Sequence, residues 1–113
     1  MSDTVTASSF LEEIVAKIAA KPENFAGINW VLGYDFTASN DGQWHIVIED
    51  GLPSGPFEGE NTEAILTTIA PLQVCVEQSK ERFNPMTAMW NTGKVRFHGD
   101  AMVAHRFHKL LGA

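Results

Sequence analysis

Apolar and polar residues alternate along the chain in two distinct rhythms. Leu11, Ile14, Val15 and Ile18 fall at i, i+3, i+4 and i+7, with Glu13 and Lys17 on the opposite side. Ser9 and Glu12 read as a capping box ahead of them, and Pro22 as the stop. An amphipathic helix lying on a core is predicted there. The period then drops to two. Ile28, Trp30, Leu32, Tyr34 and Phe36 alternate with Asn29, Val31, Gly33 and Asp35, and Trp44, Ile46 and Ile48 alternate with His45, Val47 and Glu49. Ser39-Asn40-Asp41-Gly42 between them supplies a turn, so the two runs form a hairpin.

Gly51-Leu52-Pro53-Ser54-Gly55-Pro56 reads as a loop within the domain, with only a brief third strand near Phe57. Residues 64–69, rich in β-branched side chains, predict a fourth strand. Pro71 suits a first helical position, and Leu72, Cys75, Val76, Ser79 and Phe83 line one face of the helix that follows. Asn84-Pro85 opens a short helix carrying Met86, Met89 and Trp90, and Gly93 closes it. Val95 and Phe97 alternate with Lys94, Arg96 and His98 in a last strand. Asp100 then caps a final helix with Val103, Phe107, Leu110 and Leu111 on one side. The predicted fold is α+β: one roughly five-stranded sheet with helices packed mainly on one face.

Composition narrows the function. A chain of 113 residues, 44% apolar and 19% charged, is long enough for one domain with one core. Its formal net charge of −6 repels phosphate backbones and anionic headgroups, which argues against nucleic-acid partners. No stretch reaches 18 consecutive apolar residues, so stable membrane insertion is not expected. A lone Cys75 cannot form an internal disulfide, and with no secretory pattern at the N-terminus a reducing, cytoplasmic setting is expected.

Candidate chemistry is sparse. No Gly-x-Ser-x-Gly elbow, phosphate-cradling glycine loop or His-Glu-x-x-His is present, and Cys75 sits in an apolar stripe where a thiol is unreactive. No catalytic residue, metal ligand or cofactor is therefore assigned. His98, His105 and His108 could hold zinc only by converging, and the alternation of β positions turns His98 away. Asp35 would serve a small isomerase or dehydratase only if it lay in an apolar pocket with a raised pKa. Lys94 and Arg96 could attract an anionic head, but their strand positions read as facing solvent.

The densest feature is a run of large, pliable groups. Phe83, Met86, Met89, Trp90, Phe97, Met102 and Phe107 fall within 83–107, and methionine adapts to irregular apolar shapes. Spacing alone favours an ordinary core. The segment from Asn84-Pro85-Met86 through Met89-Trp90, Gly93-Lys94, Val95-Arg96-Phe97 and Gly99-Asp100, continuing into 101–111, resembles the sterol carrier protein type 2 family. The leading helix, hairpin, strand 64–69 and helix from Pro71 follow the same order, so the resemblance spans nearly the whole chain. Ala70 stands where family members often have Ser or Asp, and Met89 where they have Phe. His98, His105 and His108 replace some of the basic residues usual in the last strand and helix. The chain ends Leu-Gly-Ala rather than Ser-Lys-Leu, so no peroxisomal address is carried over.

The resemblance implies a five-stranded sheet covered on one face by helices and enclosing an apolar tunnel for fatty acids, acyl-CoAs, sterols or phospholipids. The expected lining is Trp30, Leu72, Val76, Phe83, Met86, Met89, Trp90, Phe97, Met102 and Phe107. A cavity of ~300 Å³ left empty would cost ~7 kcal/mol, so it should be filled by a lipid or collapsed through methionine rotamers. The expected activity is noncatalytic lipid binding or transfer. A second reading is an accessory subunit docking an apolar groove on a lipid-handling enzyme. A second copy of the chain or such an enzyme is the expected protein partner.

Overall fold

The computed structural model describes residues 6–79 and 95–111. Helix α1 spans Ala7–Ala19 and strand β1 Trp30–Asp35. A short 3₁₀ turn, Thr37–Ser39, leads to β2, Gln43–Glu49. Then come β3 (Leu52–Glu58), β4 (Leu66–Ile69), α2 (Leu72–Ser79), β5 (Arg96–Gly99) and α3 (Ala101–Leu110).

The five strands form one mixed sheet in the order β3-β2-β1-β4-β5. β1 pairs antiparallel with β2 and parallel with β4, while β5 closes the far edge antiparallel to β4. Register decides the layers. Trp30 pairs with Ile48 and Leu32 with both Ile46 and Leu66, so these side chains share one face. On that face they meet Phe10, Leu11 and Ile18 of α1, Leu72, Cys75 and Val76 of α2, and Val103 and Ala104 of α3 in a single buried cluster. Each helix covers a different part of it: α1 lies by β3, α2 by the 3₁₀ turn and α3 by β4. The predicted α+β architecture is the observed one.

The caps depart from the sequence reading. Thr6, not Ser9, is the N-cap of α1: its hydroxyl accepts from the Ser9 backbone N–H at 3.0 Å, and the Ser9 hydroxyl accepts from the Thr6 N–H at 2.9 Å. The box is real but begins three residues earlier, and Ser8 rather than Ser9 bonds Glu12. Pro71 sits one position before the first helical residue of α2. There the Leu72 N–H donates to the Ser39 hydroxyl at 2.9 Å, so the cap missing at Ala70 comes from a residue 33 positions upstream. Asp100 caps α3 as predicted, accepting from the Met102 N–H at 3.0 Å.

The loop predicted at 51–56 is instead strand. β3 runs as long as β2, with Pro53 and Pro56 in it. Proline is tolerated because β3 is an edge strand, where backbone N–H groups can face water. Its turn has φ +49° at Asp50 and +80° at Gly51, the conformation of a two-residue hairpin. Gly51 is required there, since a Cβ would lie 2.7 Å from the Phe25 carbonyl oxygen. The short helix predicted from Asn84-Pro85 lies outside the described residues.

Candidate functional site

The two sheet faces offer two candidate surfaces. The buried part of the helical face is apolar: among the described residues no polar or charged residue is buried. Its aromatic groups interlock, with Phe10 edge-on to Phe36 at 6.2 Å and Tyr34 stacked on Phe36 at 5.9 Å. Phe25 meets Phe107 edge-on at 6.0 Å, and Asn24 donates to the Leu110 carbonyl at 3.1 Å, fastening the end of α3 to the segment before β1. Burial pushes the Cys75 thiol up to about 12, so at neutral pH it stays protonated. Burial, with Cys75 close by, likewise raises the Tyr34 hydroxyl well above its usual range.

The opposite face is open and polar. Gly33, Asp35, Gln43, Thr67, Ile69 and His98, together with Glu60 and Asn61, line a groove of about 140 Å³. Gly33 keeps it open: a Cβ there would stand 2.6 Å from the Thr67 hydroxyl. Asp35 is the carboxylate that an isomerase or dehydratase reading needed with a raised pKa. The Thr37 hydroxyl donates to it at 2.6 Å and holds it below the usual range, outweighing desolvation, with the Thr37 N–H and Gln43 adding to the effect. It is therefore ionised at neutral pH and does not fit that role.

Histidines fall on both sides. His98 lines the open groove, whereas His105 and His108 ride on α3 across the sheet. Among the described residues no group of three His, Cys, Asp or Glu is placed to hold a metal ion. Arg96 is exposed, as its strand position suggested.

The expected lining residues divide three ways. Trp30, Leu72 and Val76 are buried in the helical-face core, and Phe97 and Phe107 are half-buried against it. Met102 faces outward and is 59% exposed, because α3 turns Val103, Ala104 and Phe107 inward instead. Phe83, Met86, Met89 and Trp90 lie outside the described residues. One contact was not legible in the sequence: the Arg106 guanidinium sits over the Trp30 ring, 5.4 Å from its centroid. The two are 76 positions apart, and only the docking of α3 joins them.

An α+β sheet layered by helices on one apolar face defines a class of small domains built around an apolar interior. The match to the SCP-2 sterol transfer family extends over residues 11–112, and the chain belongs to that family. Solved structures agree on the fold. It superposes on a stereoselective inverting sec-alkylsulfatase, Pisa1 from Pseudomonas sp., with a TM-score of 0.82, 16% identity and 96% of this chain covered. This chain spans only 17% of that protein's length. It also superposes on palmitated SCP2L2 from Aedes aegypti, with a TM-score of 0.71, 19% identity and 96% of each chain covered. A sterol carrier protein 2 structure gives a TM-score of 0.60 at 18% identity, covering 96% of this chain and 95% of the other. No curated protein sequence is similar enough to match.

Proposed function

We propose that this domain is a noncatalytic carrier that binds a single-chain lipid or similar hydrophobic molecule between the helical face of its sheet and the overlying helices. The observation that carries the reading is that face itself: a wholly apolar buried set, flanked by the half-buried Phe97 and Phe107. Membership of the SCP-2 sterol transfer family and the likeness to a palmitated relative support it. Among the described residues no helix is long and apolar enough to cross a membrane, which suits a carrier that exchanges its ligand. Burying ten methylenes gains ~8 kcal/mol gross, against ~4–15 kcal/mol lost on association, so micromolar or weaker affinity is expected.

The test is organic extraction of the purified protein followed by mass spectrometry, then titration of the delipidated protein with a fluorescent fatty acid. A co-purifying lipid, or saturable uptake, is expected. Protein that releases no lipid and takes none up would reject the carrier reading. A second reading, an accessory domain attached to a larger enzyme, is favoured by the alkylsulfatase, in which the same fold occupies 17% of the chain. Leu52 and Phe57, exposed on the edge strand, would then form part of the contact.

A further inference from the structure

Charge on the open face of the sheet is sorted by strand. Pairing across the strands places Gln43, Asp35, Ile69 and Arg96 in one row from β2 to β5, and His45, Gly33, Thr67 and His98 in the next. The acidic groups stand on β1 and β2, as Asp35 and the exposed Glu49, and Glu60 joins them at the groove. The exposed Arg96 and His98 stand on β5. Between them an apolar stripe follows β4: half-buried Ile69, and Ile65, 37% exposed, which strand alternation turns to the same side. Asp35 and Arg96 flank Ile69 from opposite sides, two strands and roughly 10 Å apart. Among the described residues no helix packs on this face.

A face with one sign of charge on each side of an apolar stripe is complementary to its own copy. Sheets stack face to face about 10 Å apart with their strands nearly aligned. With a two-fold axis running along β4 between two copies, Ile69 and Ile65 each meet their equivalents, and Asp35 of each copy stands opposite Arg96 of the other. The same operation sets His98 of the second copy over Gly33, where the missing side chain leaves the groove and Asp35 and Glu60 supply negative charge. An axis along β1 would oppose Asp35 to itself, and one along β5 would oppose Arg96 to itself, so charge selects β4. Asp35 can take the guanidinium: Oδ1 accepts both Thr37 bonds, while Oδ2 meets Gln43 at 3.4 Å and keeps capacity for another donor.

We propose that the open face is a self-association surface whose partner is a second copy of this chain, joined by two Asp35–Arg96 pairs across β4. This surface lies on the other side of the sheet from the carrier's apolar face, so it stands apart from that reading. Three strands of overlap make a small interface, and the dimer is weak, with a dissociation constant of about 0.1 mM.

Sedimentation equilibrium of the full chain, at concentrations spanning that value, is the test. Wild type should dimerise. Asp35→Arg and Arg96→Asp should each weaken association about tenfold, because like charges then face each other at both pairs. Mixed in equal amounts, the two variants should recover to within about threefold of wild type, since both pairs again join opposite charges. Asp35→Arg also makes the chain less acidic, so bulk repulsion alone would strengthen its association rather than weaken it. Leu52→Asp, on the far edge strand and beyond the overlap, should change association by no more than about twofold. Should Asp35→Arg fail to fold, Arg96→Asp at its exposed position still decides, and undiminished association there overturns the proposal. A mixture that associates no better than either variant alone, or a large loss in Leu52→Asp, overturns it too. Wild type that stays monomeric leaves the face to another partner and overturns it outright.

Discussion

The two faces of the sheet are built from the same strands and behave as different materials. On the helical face, Leu32, Ile46, Ile48 and Leu66 lie almost entirely out of contact with water, and the groups that stabilise it are dispersed over three helices. On the open face, Val31, His45 and Val47 are half-buried, and polar side chains make hydrogen bonds there. Asp35 is tied to Thr37 and Gln43, and His45 Nδ1 reaches the Gly59 carbonyl at 3.0 Å while its ring stacks on Phe57 at 5.2 Å. The lesson concerns where a guest could be accommodated. Under the carrier proposal a hydrocarbon chain would enter between the separate helices of the apolar face, which requires no sheet hydrogen bond to break. Among the described residues no helix packs on the polar face.

The largest test of that contrast is a pair of neighbours in β2. Ile46→Ala removes a fully buried side chain from the helical face and should cost about 2–5 kcal/mol of unfolding free energy. Val47→Ala, on the open face, should cost about 1 kcal/mol or less. Denaturant titration of both reads the difference, and equal losses would mean that the two faces share the burden of stability.

A smaller effect isolates the joint between the hairpin and α2. Ser39→Ala leaves the Leu72 N–H without its partner and should cost about 1 kcal/mol, with Ser39→Thr recovering part of it. A neutral Ser39→Ala would show that solvent satisfies that N–H equally well.

The smallest effects are in pH. Burial, and then the neighbouring His105, hold His108 below its ordinary 6.5. The unfolded chain therefore binds a proton there first, so stability is fully present above about pH 6.5 and is lost as pH falls through the lowered native value. Asp35 on the open face is likewise depressed, and its contribution is present above 3.8 and lost as pH falls through its own lowered value. His108→Gln should flatten the upper part of the acid limb of a melting-temperature profile, and Asp35→Asn only the lower part. Both groups are half-buried and still screened by solvent, so shifts of a few degrees at most are expected. A profile in which either variant alters the other's region would unseat the assignment.

Much of this fold was legible because the signals were local. The period of two in 30–36 and 44–48 assigned each strand residue to a face, and register preserved that assignment. Asp100 caps its helix from two residues away, a distance at which sequence order is spatial order. The third strand was misread because Pro53 and Pro56 weigh against any strand judged alone. Asp50-Gly51, a strong hairpin signal directly before it, pointed the other way. Of the expected lining, Trp30, Leu72 and Val76 proved to be core, whereas Met102 faced out because helical phase, not residue type, decides which side of α3 is covered.

Apart from β3, the sequence by itself determined the described elements, their apolar sides and the layering, since period and burial follow from the chemistry of neighbouring residues. Only the tertiary structure decided that Ser39 caps α2, that Gly33 floors a groove against Thr67, and that Arg106 lies over Trp30. Each of these joins residues more than thirty positions apart, and such pairs meet only after helices and strands have docked, when the shape of the packed interior selects which distant groups come into reach.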